Sequence, residues 1–510
     1  MFIRTKHLMK RISSILLLAG LILAGCSKPG FDPQIKSANA LADSILTYDF
    51  LSNENIEYEV LEQDHLSLEE MAASFDEDIA NGVEGAQESK DEFLERWQKI
   101  ADSLATAGEI DNQIAVGFER RTFSYKTVNQ FGNPITLSAF VGWAVYPKKT
   151  WTTIKWIPYE QNHVILSCPY THTLAEECAS RDKGGYEFKT MIHDNLFIMS
   201  DGQGFGVDNG HVQTYLNHKV HARQYFDALV AGMKVYDNDY RGGKYEKDWN
   251  LLVVGASQGA GDAIAVHKYL DTQTTSLNLT PYYKNESTAE AANLICERYG
   301  VPYGTETVSV PLREKYRFRQ SIVCCGPYCP EATMQKYQFD GKLSYPCVIP
   351  LVIKSMLACY PNLANKYNET DFFSDAWNKN KKDFDYIYLH NTKNSDDLNE
   401  YIRKKLVIGN EKIAPRYLPL DRMLSADMLD PESEICKDLM ECLREQDLTS
   451  GWSPVTETYI YWSANDEVVP RVNTDRLIQF FTQQHIKRVM DLSLTHVLAC
   501  YLYMASRWSP

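Results

Sequence analysis

The chain has 510 residues, of which 44% are hydrophobic and 23% charged, and its formal net charge is −15. This composition is that of a globular protein, so it excludes a disordered, collagen-like or coiled-coil architecture. The length predicts one large domain with insertions, or two to three domains of ordinary size. The acidic balance argues against a nucleic-acid partner, because phosphate attracts a basic surface.

The first 25 residues have the pattern of a secretion signal. Residues 1–11 hold four basic residues and no acidic one, and residues 12–25 are mostly apolar. This apolar stretch is shorter than the roughly 20 residues that a membrane-spanning helix needs, which favours a cleaved signal. It ends in the sequence LAGC, which resembles the bacterial lipobox. The resemblance implies cleavage before Cys26, acylation of that cysteine, and anchoring in the bacterial cell envelope, at the outer membrane or cell surface rather than the inner membrane. The alternative is an ordinary signal with a chance cysteine.

The N-terminal region carries most of the negative charge. Residues 54–95 hold 15 acidic residues and one basic residue, Lys90. Apolar residues recur at helical spacing: Leu66, Leu68, Met71 and Phe75, and then Phe93, Leu94, Trp97 and Ile100. We therefore expect residues 26–115 to form a tether and a small helical region with one solvated face.

The remainder predicts an α/β fold. Short apolar runs separated by helical stretches indicate a mostly parallel sheet that helices cover on both faces; the runs are 164–168, 195–200, 251–254, 321–325 and 459–462. About 130 residues separate the last two runs, far more than a crossover needs. The chain thus divides into a core in two parts, 116–330 and 451–510, and a mainly helical cap insertion at 331–450.

Cysteine usage predicts neither a metal nor a cofactor. Eleven cysteines remain besides Cys26, so at least one thiol is free even where export permits disulfides. The closest group, Cys324, Cys325 and Cys329, lacks the partner spacing of a zinc site. We expect buried thiols with at most one or two disulfides.

The most informative stretch follows the apolar run 251–254. It reads GASQG, with Ser257 at its centre, and leads into a helix of small residues. This is the pattern of a nucleophile elbow, in which a sharp turn between strand and helix exposes the serine and glycines two residues away avoid steric clashes. The alternative is a tight turn without chemistry.

A serine nucleophile needs a base that an acid orients. Asp466 follows the apolar run 459–462, and His496 follows 30 residues later. The order serine, aspartate, histidine is that of the α/β-hydrolase fold. His496 is predicted to accept the proton of Ser257, and Asp466 to hold the imidazole tautomer. Glu467 is an alternative acid.

From about residue 116 to the end, outside the cap, the chain resembles the secreted α/β-hydrolases of the secretory-lipase and esterase group. Five stretches carry the resemblance: YKTVNQFGNPITLSA from Tyr125, SDGQGFG from Ser200, GASQG from Gly255, GWSP from Gly451 and NDEVVP from Asn465. The resemblance implies an α/β-hydrolase fold and cleavage of a small-molecule or polymer-borne ester without a cofactor.

One stretch departs from that group. Such enzymes usually carry His-Gly after the third strand, where a backbone N–H completes the oxyanion hole; here the sequence is SCPYTHT from Ser167. Pro169 has no N–H to donate. The Pro-Tyr pair resembles the loop of the X-prolyl dipeptidyl-peptidase and cocaine-esterase family, in which a tyrosine hydroxyl serves the oxyanion. We predict the N–H of Gln258 and Tyr170 as the oxyanion hole, with a structural tyrosine as the alternative.

Three functions remain open at this stage. The first is a lipid-anchored serine hydrolase acting on an ester. The second is a serine peptidase of the prolyl or dipeptidyl type, which the loop of Pro169 and Tyr170 favours. Glu176 and Glu177 are then the acidic pair for the substrate amine, and a solvated helix start is the commoner meaning of such a pair. The third is a surface lipoprotein that binds glycan or protein through its 31 tyrosines. The order of Ser257, Asp466 and His496 favours the enzymes.

Overall fold

A computed structural model describes most of the chain: residues 38–47, 56–80, 82, 85–106, 116–149, 154–158, 161–192, 195–240, 245–407, 416–463, 466–484 and 488–489. Within these ranges, none of the helices combines the length and the hydropathy that crossing a bilayer would require.

A sheet of ten strands forms the core, with the order β1-β2-β3-β6-β5-β7-β10-β13-β14 and β4 added beside β3. The strands are β1 (Tyr58–Ser67), β2 (Gly117–Val128), β3 (Pro134–Lys149), β4 (Ile154–Pro158), β5 (Gln161–Cys168), β6 (Asn195–Ser200), β7 (Tyr245–Ala256), β10 (Phe318–Cys324), β13 (Glu457–Tyr461) and β14 (Arg488–Val489). Two short ribbons pair β8 (Thr274–Asn278) with β9 (Thr307–Pro311) and β11 (Lys342–Leu343) with β12 (Leu418–Pro419).

Helices flank the strands and fill the insertion. They are α1 (Ala38–Thr47), α2 (Leu68–Ala73), α3 (Phe75–Ala80), α4 (Ala86–Thr106), α5 (Gly185–Met191), α6 (His218–Tyr240), α7 (Gln258–Thr272), α8 (Glu286–Arg298), α9 (Leu312–Lys315), α10 (Pro330–Asp340), α11 (Val348–Cys359), α12 (Pro361–Lys366), α13 (Glu369–Phe372), α14 (Asp375–Asn378), α15 (Lys381–His390), α16 (Ser395–Lys405), α17 (Ala426–Leu429), α18 (Glu434–Arg444) and α19 (Val472–Gln483). Short 3₁₀ helices lie at Ala175–Glu177, Gly206–Asp208, Thr280–Lys284 and Leu420–Arg422.

Six adjacent strands of the sheet, β6, β5, β7, β10, β13 and β14, pair in parallel. The strands β1, β2 and β3 pair antiparallel. Strands that helices cover on both faces need apolar side chains on both faces. Leu251, Leu252, Val253 and Val254 of β7 are accordingly all buried. The predicted α/β fold is confirmed, and it brings the carboxyl ends of the parallel strands to one edge of the sheet.

The N-terminal region contains helices as predicted, but the strand β1 lies between α1 and the later helices α2 to α4. The sequence predicts that Leu66 belongs to a helix, whereas Leu66 lies in β1, which pairs antiparallel with β2. The helix begins one residue after Ser67. The Ser67 hydroxyl accepts the N–H of Glu70 at 3.1 Å, and the Glu70 carboxylate accepts the N–H of Ser67 at 2.8 Å. This reciprocal capping box fixes the helix start.

The predicted cap insertion, 331–450, contains the helices α10 to α18, placed between β10 and β13. It has a hydrophobic core of its own. The ring of Trp377 is stacked between Phe373 and Phe384, with centroid distances of 4.7 and 3.9 Å. Large aromatic groups packed in this way dominate the stability of a small core.

Asn391, in the cap, forms hydrogen bonds to the loops of the core. Its backbone is left-handed, with φ 49°, and its side chain is buried. Its amide donates to the Gly204 carbonyl at 2.8 Å and to Asn209 at 3.0 Å, and it accepts from Gln213 at 2.7 Å. Its carbonyl accepts the N–H of Ala175 at 2.7 Å. This buried group therefore has its hydrogen-bonding capacity satisfied, as a polar contact inside a fold requires.

Residues 278–306 group with the N-terminal residues up to Ile45 as a second compact unit. Among the described residues of this unit, Arg298 donates to the Asp43 carboxylate at 2.9 Å. The sequence did not predict this grouping, because it assigns residues 278–306 to the first part of the core.

The structure describes ten cysteines, and nine of them are buried. No disulfide is present among them, so the one or two bridges that the sequence allows do not occur within the described residues. Cys26 lies outside the described residues, as does Cys500.

Candidate active site

Ser257 lies at the junction between β7 and α7. Its backbone has φ 53° and ψ −126°, a conformation that L-residues rarely adopt. Its N–H donates to the Cys324 carbonyl of the neighbouring strand β10 at 2.9 Å. A residue held in such a strained conformation by the surrounding fold is typical of a functional position.

Two glycines make this turn sterically possible. A Cβ atom at Gly255 would lie 2.1 Å from the Gly259 carbonyl oxygen, and one at Gly259 would lie 2.1 Å from the Cys168 carbonyl oxygen. Real Cβ contacts do not approach this distance, and a backbone oxygen has little freedom to move away. The steric role that the sequence pattern predicts for these glycines is therefore confirmed by the geometry.

Ser257 opens onto a narrow apolar cavity of about 30 Å³ between the core and the cap. Besides Ser257, the described residues that line it are Tyr215, Leu216, Gln258, Pro327, Pro330, Thr333, Met334, Tyr337, Val348, Ile349, Val352, Leu443, Val468 and Val469. Most of these side chains are apolar, and several belong to the cap helices α10, α11 and α18. The side chains around Ser257 are therefore mainly apolar, which suits an apolar group of a ligand more than a charged one.

Asp466 begins the loop after β13, and residues 466–469 are called the acid loop here. One oxygen of Asp466, Oδ1, accepts the N–H groups of Val468 at 2.9 Å and Val469 at 2.8 Å. The pKa of Asp466 is raised to about 7, mainly by burial and also by the neighbouring Cys325 thiol, while the two N–H donors oppose the rise. A buried carboxyl with a raised pKa gains from a cationic neighbour, as a triad aspartate does from imidazolium.

The fold brings two of the three predicted triad residues to the same edge of the sheet. Ser257 follows β7 and Asp466 follows β13, with β10 between them. Val468 and Val469 of the acid loop line the cavity that contains Ser257. His496 lies outside the described residues. The complete triad thus stays a prediction.

The two predicted oxyanion donors differ in position. Gln258 is the first residue of α7, where backbone N–H groups have no acceptor within the helix, and it lines the cavity. Tyr170 is not among the described residues that line this cavity. Its ring contacts that of His172, with centroids 4.3 Å apart, and 39% of its surface is exposed.

The alternative acid, Glu467, is turned toward the cap. Its carboxylate accepts the hydroxyl of Tyr417 at 3.0 Å and pairs with Arg416 at 3.0 Å. These partners hold the carboxylate away from the interior of the acid loop, in which Asp466 accepts its two N–H groups. The geometry therefore favours Asp466 over Glu467 as the acid.

The structure also contains a Ser–His–Asp chain that the sequence did not suggest. His267 Nδ1 lies 2.8 Å from Ser321 Oγ, and His267 Nε2 lies 3.0 Å from Asp271 Oδ2. Asp271 also accepts the backbone N–H of Val455 and of Thr456, and its pKa is lowered to about 2 by these bonds and by His267, against the opposing effect of burial. Ser321 and His267 are completely buried within the described fold. No substrate reaches them.

A second buried histidine cluster supports the helix that follows Ser257. His218 and His221 of α6 both contact Asp262 Oδ1 of α7, at 3.1 and 2.9 Å. The two histidines hold the pKa of Asp262 at about 2 although burial alone would raise it. The sequence signal was the spacing of the two histidines on one face of α6. We interpret this cluster as a structural brace.

The acidic pair expected in a peptidase lies beside Tyr170. Glu176 is exposed, and the Glu177 carboxylate lies 3.9 Å from His172 Nδ1. Glu187 is buried nearby, and burial raises its pKa to about 7 while His172 opposes the rise. In the described part of the chain, no group of three or more His, Cys, Asp or Glu side chains is arranged to hold a metal ion.

No protein-family model matches the sequence, and no curated protein is similar to it. Solved structures are similar. The rice cell wall degrading esterase LipA from Xanthomonas oryzae matches with a TM-score of 0.56 at 16% identity, over 88% of this chain and 95% of that chain. A candidate hydrolase from Legionella pneumophila matches with a TM-score of 0.53 at 13% identity, over 89% and 98%. Candida antarctica lipase A has a TM-score of 0.47 at 10% identity, over 90% and 81%. The first two establish that the chain has the α/β-hydrolase fold.

Proposed function

We propose that the protein is a serine hydrolase that cleaves a carboxylic ester through an acyl-enzyme. The observation that carries this proposal is the position of Ser257: a strained residue at a strand-to-helix turn, opening onto an apolar cavity whose wall includes the loop of Asp466. A serine turn without chemistry has no need of this cavity. The likeness to an esterase fold agrees with the proposal.

In the proposed reaction, His496 accepts the proton of the Ser257 hydroxyl as its oxygen attacks the ester carbonyl. The N–H of Gln258 stabilises the oxyanion, and Tyr170 is the second proposed donor. Collapse of the tetrahedral intermediate breaks the bond to the alcohol, which leaves with the proton from His496. Water then attacks the acyl-enzyme by the same route and releases the acid. Asp466 stabilises the imidazolium in both halves.

The cavity suggests which half of the substrate is bound. Its walls from Met334, Val352 and Leu443 are apolar and come from the cap, so we assign it to the acyl chain. The alcohol then faces the opening, where a small molecule and a polymer-borne ester are both acceptable. Burial of each methylene group contributes about 0.8 kcal/mol of binding.

We further propose that the mature protein is a lipoprotein of the bacterial cell envelope, on the basis of the LAGC sequence that ends at Cys26. Metabolic labelling with an alkyne analogue of palmitate tests this directly. We expect label in the wild type and none in Cys26→Ser. Equal labelling of the two proteins would remove the anchor from the proposal without affecting the catalytic assignment.

The serine assignment is tested with a fluorophosphonate probe on the purified protein, beside a folded Ser257→Ala variant. We expect labelling of the wild type only. Absence of labelling in the folded wild type would overturn the enzyme proposal and favour a surface lipoprotein that binds glycan or protein.

A serine peptidase is the second candidate, and Glu177 beside the loop of Tyr170 is the observation that favours it. Acyl nitrophenyl esters and aminoacyl anilides separate the two activities. Faster turnover of the anilides would replace the esterase proposal by the peptidase.

A further inference from the structure

The acid loop is bound by the cap on its outer side. The Ser344 hydroxyl donates to the Glu467 carbonyl at 3.0 Å, and the Tyr337 hydroxyl donates to the Val468 carbonyl. Tyr417 donates to the Glu467 carboxylate at 3.0 Å. Ser344 follows β11 and Tyr417 precedes β12, so the small ribbon of the cap lies against this loop.

The inner side of the same loop holds Asp466. The carbonyl that Ser344 binds and the N–H that Val468 donates to Asp466 belong to one peptide group. The carbonyl that Tyr337 binds and the N–H of Val469 belong to the next. A trans peptide is planar, with its C=O and N–H pointing in opposite directions. A hydroxyl that fixes the carbonyl therefore also fixes the direction of the N–H.

We propose that the cap positions the triad acid: Ser344 and Tyr337 orient the two peptide groups whose N–H bonds hold Asp466, and Tyr417 secures the loop through Glu467. The docked cap thus does more than enclose the acyl chain; it completes the support of the acid. This inference rests on the proposed function, in which Asp466 orients His496.

The pH profile of activity depends on the pKa of Asp466, which the charged and titratable groups around it influence. Cys325 contacts it from the end of β10, Tyr337 faces it from the cap, and Glu467 follows it in the loop with its charge paired to Arg416. The N–H bonds of Val468 and Val469 lower the pKa of Asp466. Weakening these bonds raises that pKa, so the acidic limb of the activity profile moves to higher pH.

The test compares Ser344→Ala, Tyr417→Phe and the double variant with wild type in ester turnover. We expect each single change to lower kcat about three- to tenfold with KM within about twofold, because the contacts support the acid rather than the substrate. We expect the double variant to shift the acidic limb of kcat upward. Ser344→Thr, which keeps the hydroxyl, should restore wild-type kcat.

Tyr386→Phe is the matched control, since Tyr386 is an exposed tyrosine of the cap helix α15; its kcat should equal that of wild type. Amide hydrogen exchange at Val468 and Val469 gives a readout independent of turnover, and should be faster in Ser344→Ala. Unchanged kcat, pH profile and exchange in the folded double variant would overturn the inference.

Failure of the proposed function gives a different result. A wild type that neither reacts with fluorophosphonate nor turns over ester refutes the hydrolase itself. A wild type that does both, with a double variant identical to it, refutes only the positioning by the cap. Full activity in Asp466→Asn with loss in Glu467→Gln would identify Glu467 as the acid and also overturn the inference.

Discussion

Two groups of residues that contain a serine and an aspartate lie within one sheet. They share these residue types but differ in burial and in access for a substrate. Ser321, His267 and Asp271 are linked by hydrogen bonds of 2.8 and 3.0 Å but are enclosed by the core. Ser257 has a strained backbone and a cavity before it. Hydrogen-bond geometry alone would select Ser321 rather than the proposed nucleophile, Ser257. The position at the carboxyl edge of the sheet, with access for a substrate, separates a reactive group from a structural one.

The electrostatics of the two aspartates differ in the same way. Asp271 has a pKa lowered to about 2, because His267 and several donors stabilise its charge. Asp466 has a pKa raised to about 7, because burial outweighs its two N–H donors. A fully satisfied carboxylate contributes to stability, whereas an under-satisfied one is available to a catalytic partner.

The largest expected effect is on ester turnover, and it distinguishes Ser257 from Ser321. Ser257→Ala should lower ester turnover by about 10⁴-fold or more, because it removes the nucleophile. Ser321→Ala should leave turnover per folded molecule within about twofold. It should lower the free energy of unfolding by about 1–3 kcal/mol, because the buried hydroxyl bonds both His267 and Thr458. Initial rates and urea titrations measure both. A large loss of turnover in folded Ser321→Ala would show that the buried chain takes part in catalysis.

The next largest effect is on kcat, and it distinguishes Asp466 from Asp271. Asp466→Asn should lower kcat by about 10³- to 10⁴-fold, because an amide favours the wrong tautomer of His496. Asp271→Asn should change kcat by about twofold at most. Steady-state kinetics on the two folded variants provide the comparison, and similar kcat values for them would contradict the proposed roles.

The smallest effect concerns stability in acid. The folded pKa of Asp271 lies below its ordinary value of 3.8, so its stabilisation is present above pH 4 and is lost as the pH falls toward 2. A shift of this size corresponds to about 2 kcal/mol. Asp271→Asn should therefore reduce the decline of the free energy of unfolding between pH 4 and 2 by about this amount, measured by urea titration.

Asp262 has a similarly lowered pKa and should keep part of that decline in the variant. Asp466→Asn is the matched control, since a group whose folded pKa is raised gains stability, rather than losing it, as the pH falls. If Asp271→Asn and wild type lose stability in parallel below pH 4, the assigned charge of Asp271 is wrong.

Local sequence patterns predicted the elbow and the acid loop, and the reason is physical. The positions of Ser257, Gly255 and Gly259 are set by one tight turn, whose steric requirements a short pattern records. Asp466 was found in the same way, from its place directly after an apolar strand. The hairpin of β2 and β3 likewise has a local cause, since its turn at Asn129 carries the residues that turns favour.

Long-range pairings could not be predicted in this manner. His267 meets Ser321 and Thr458 across 54 and 191 residues of chain, and no local pattern encodes such contacts. The strand β1 was missed because half of its side chains are exposed and none is buried, so hydrophobic alternation is absent. Its hydrogen bonds to β2 stabilise it instead. The bonds between Ser344 and the acid loop likewise depend on how the cap packs.

The exposed strand β1 has a consequence for solubility. It is the terminal strand of the described sheet, and its outer backbone groups would offer a second protein molecule a template for pairing. Glu59 and Glu62 on this strand are exposed, and Asp64 is held by Arg120 and Lys183. Carboxylates along an edge repel an incoming strand that carries the same charges. Part of the acidity of this chain is therefore placed where it keeps neighbouring molecules from joining their sheets.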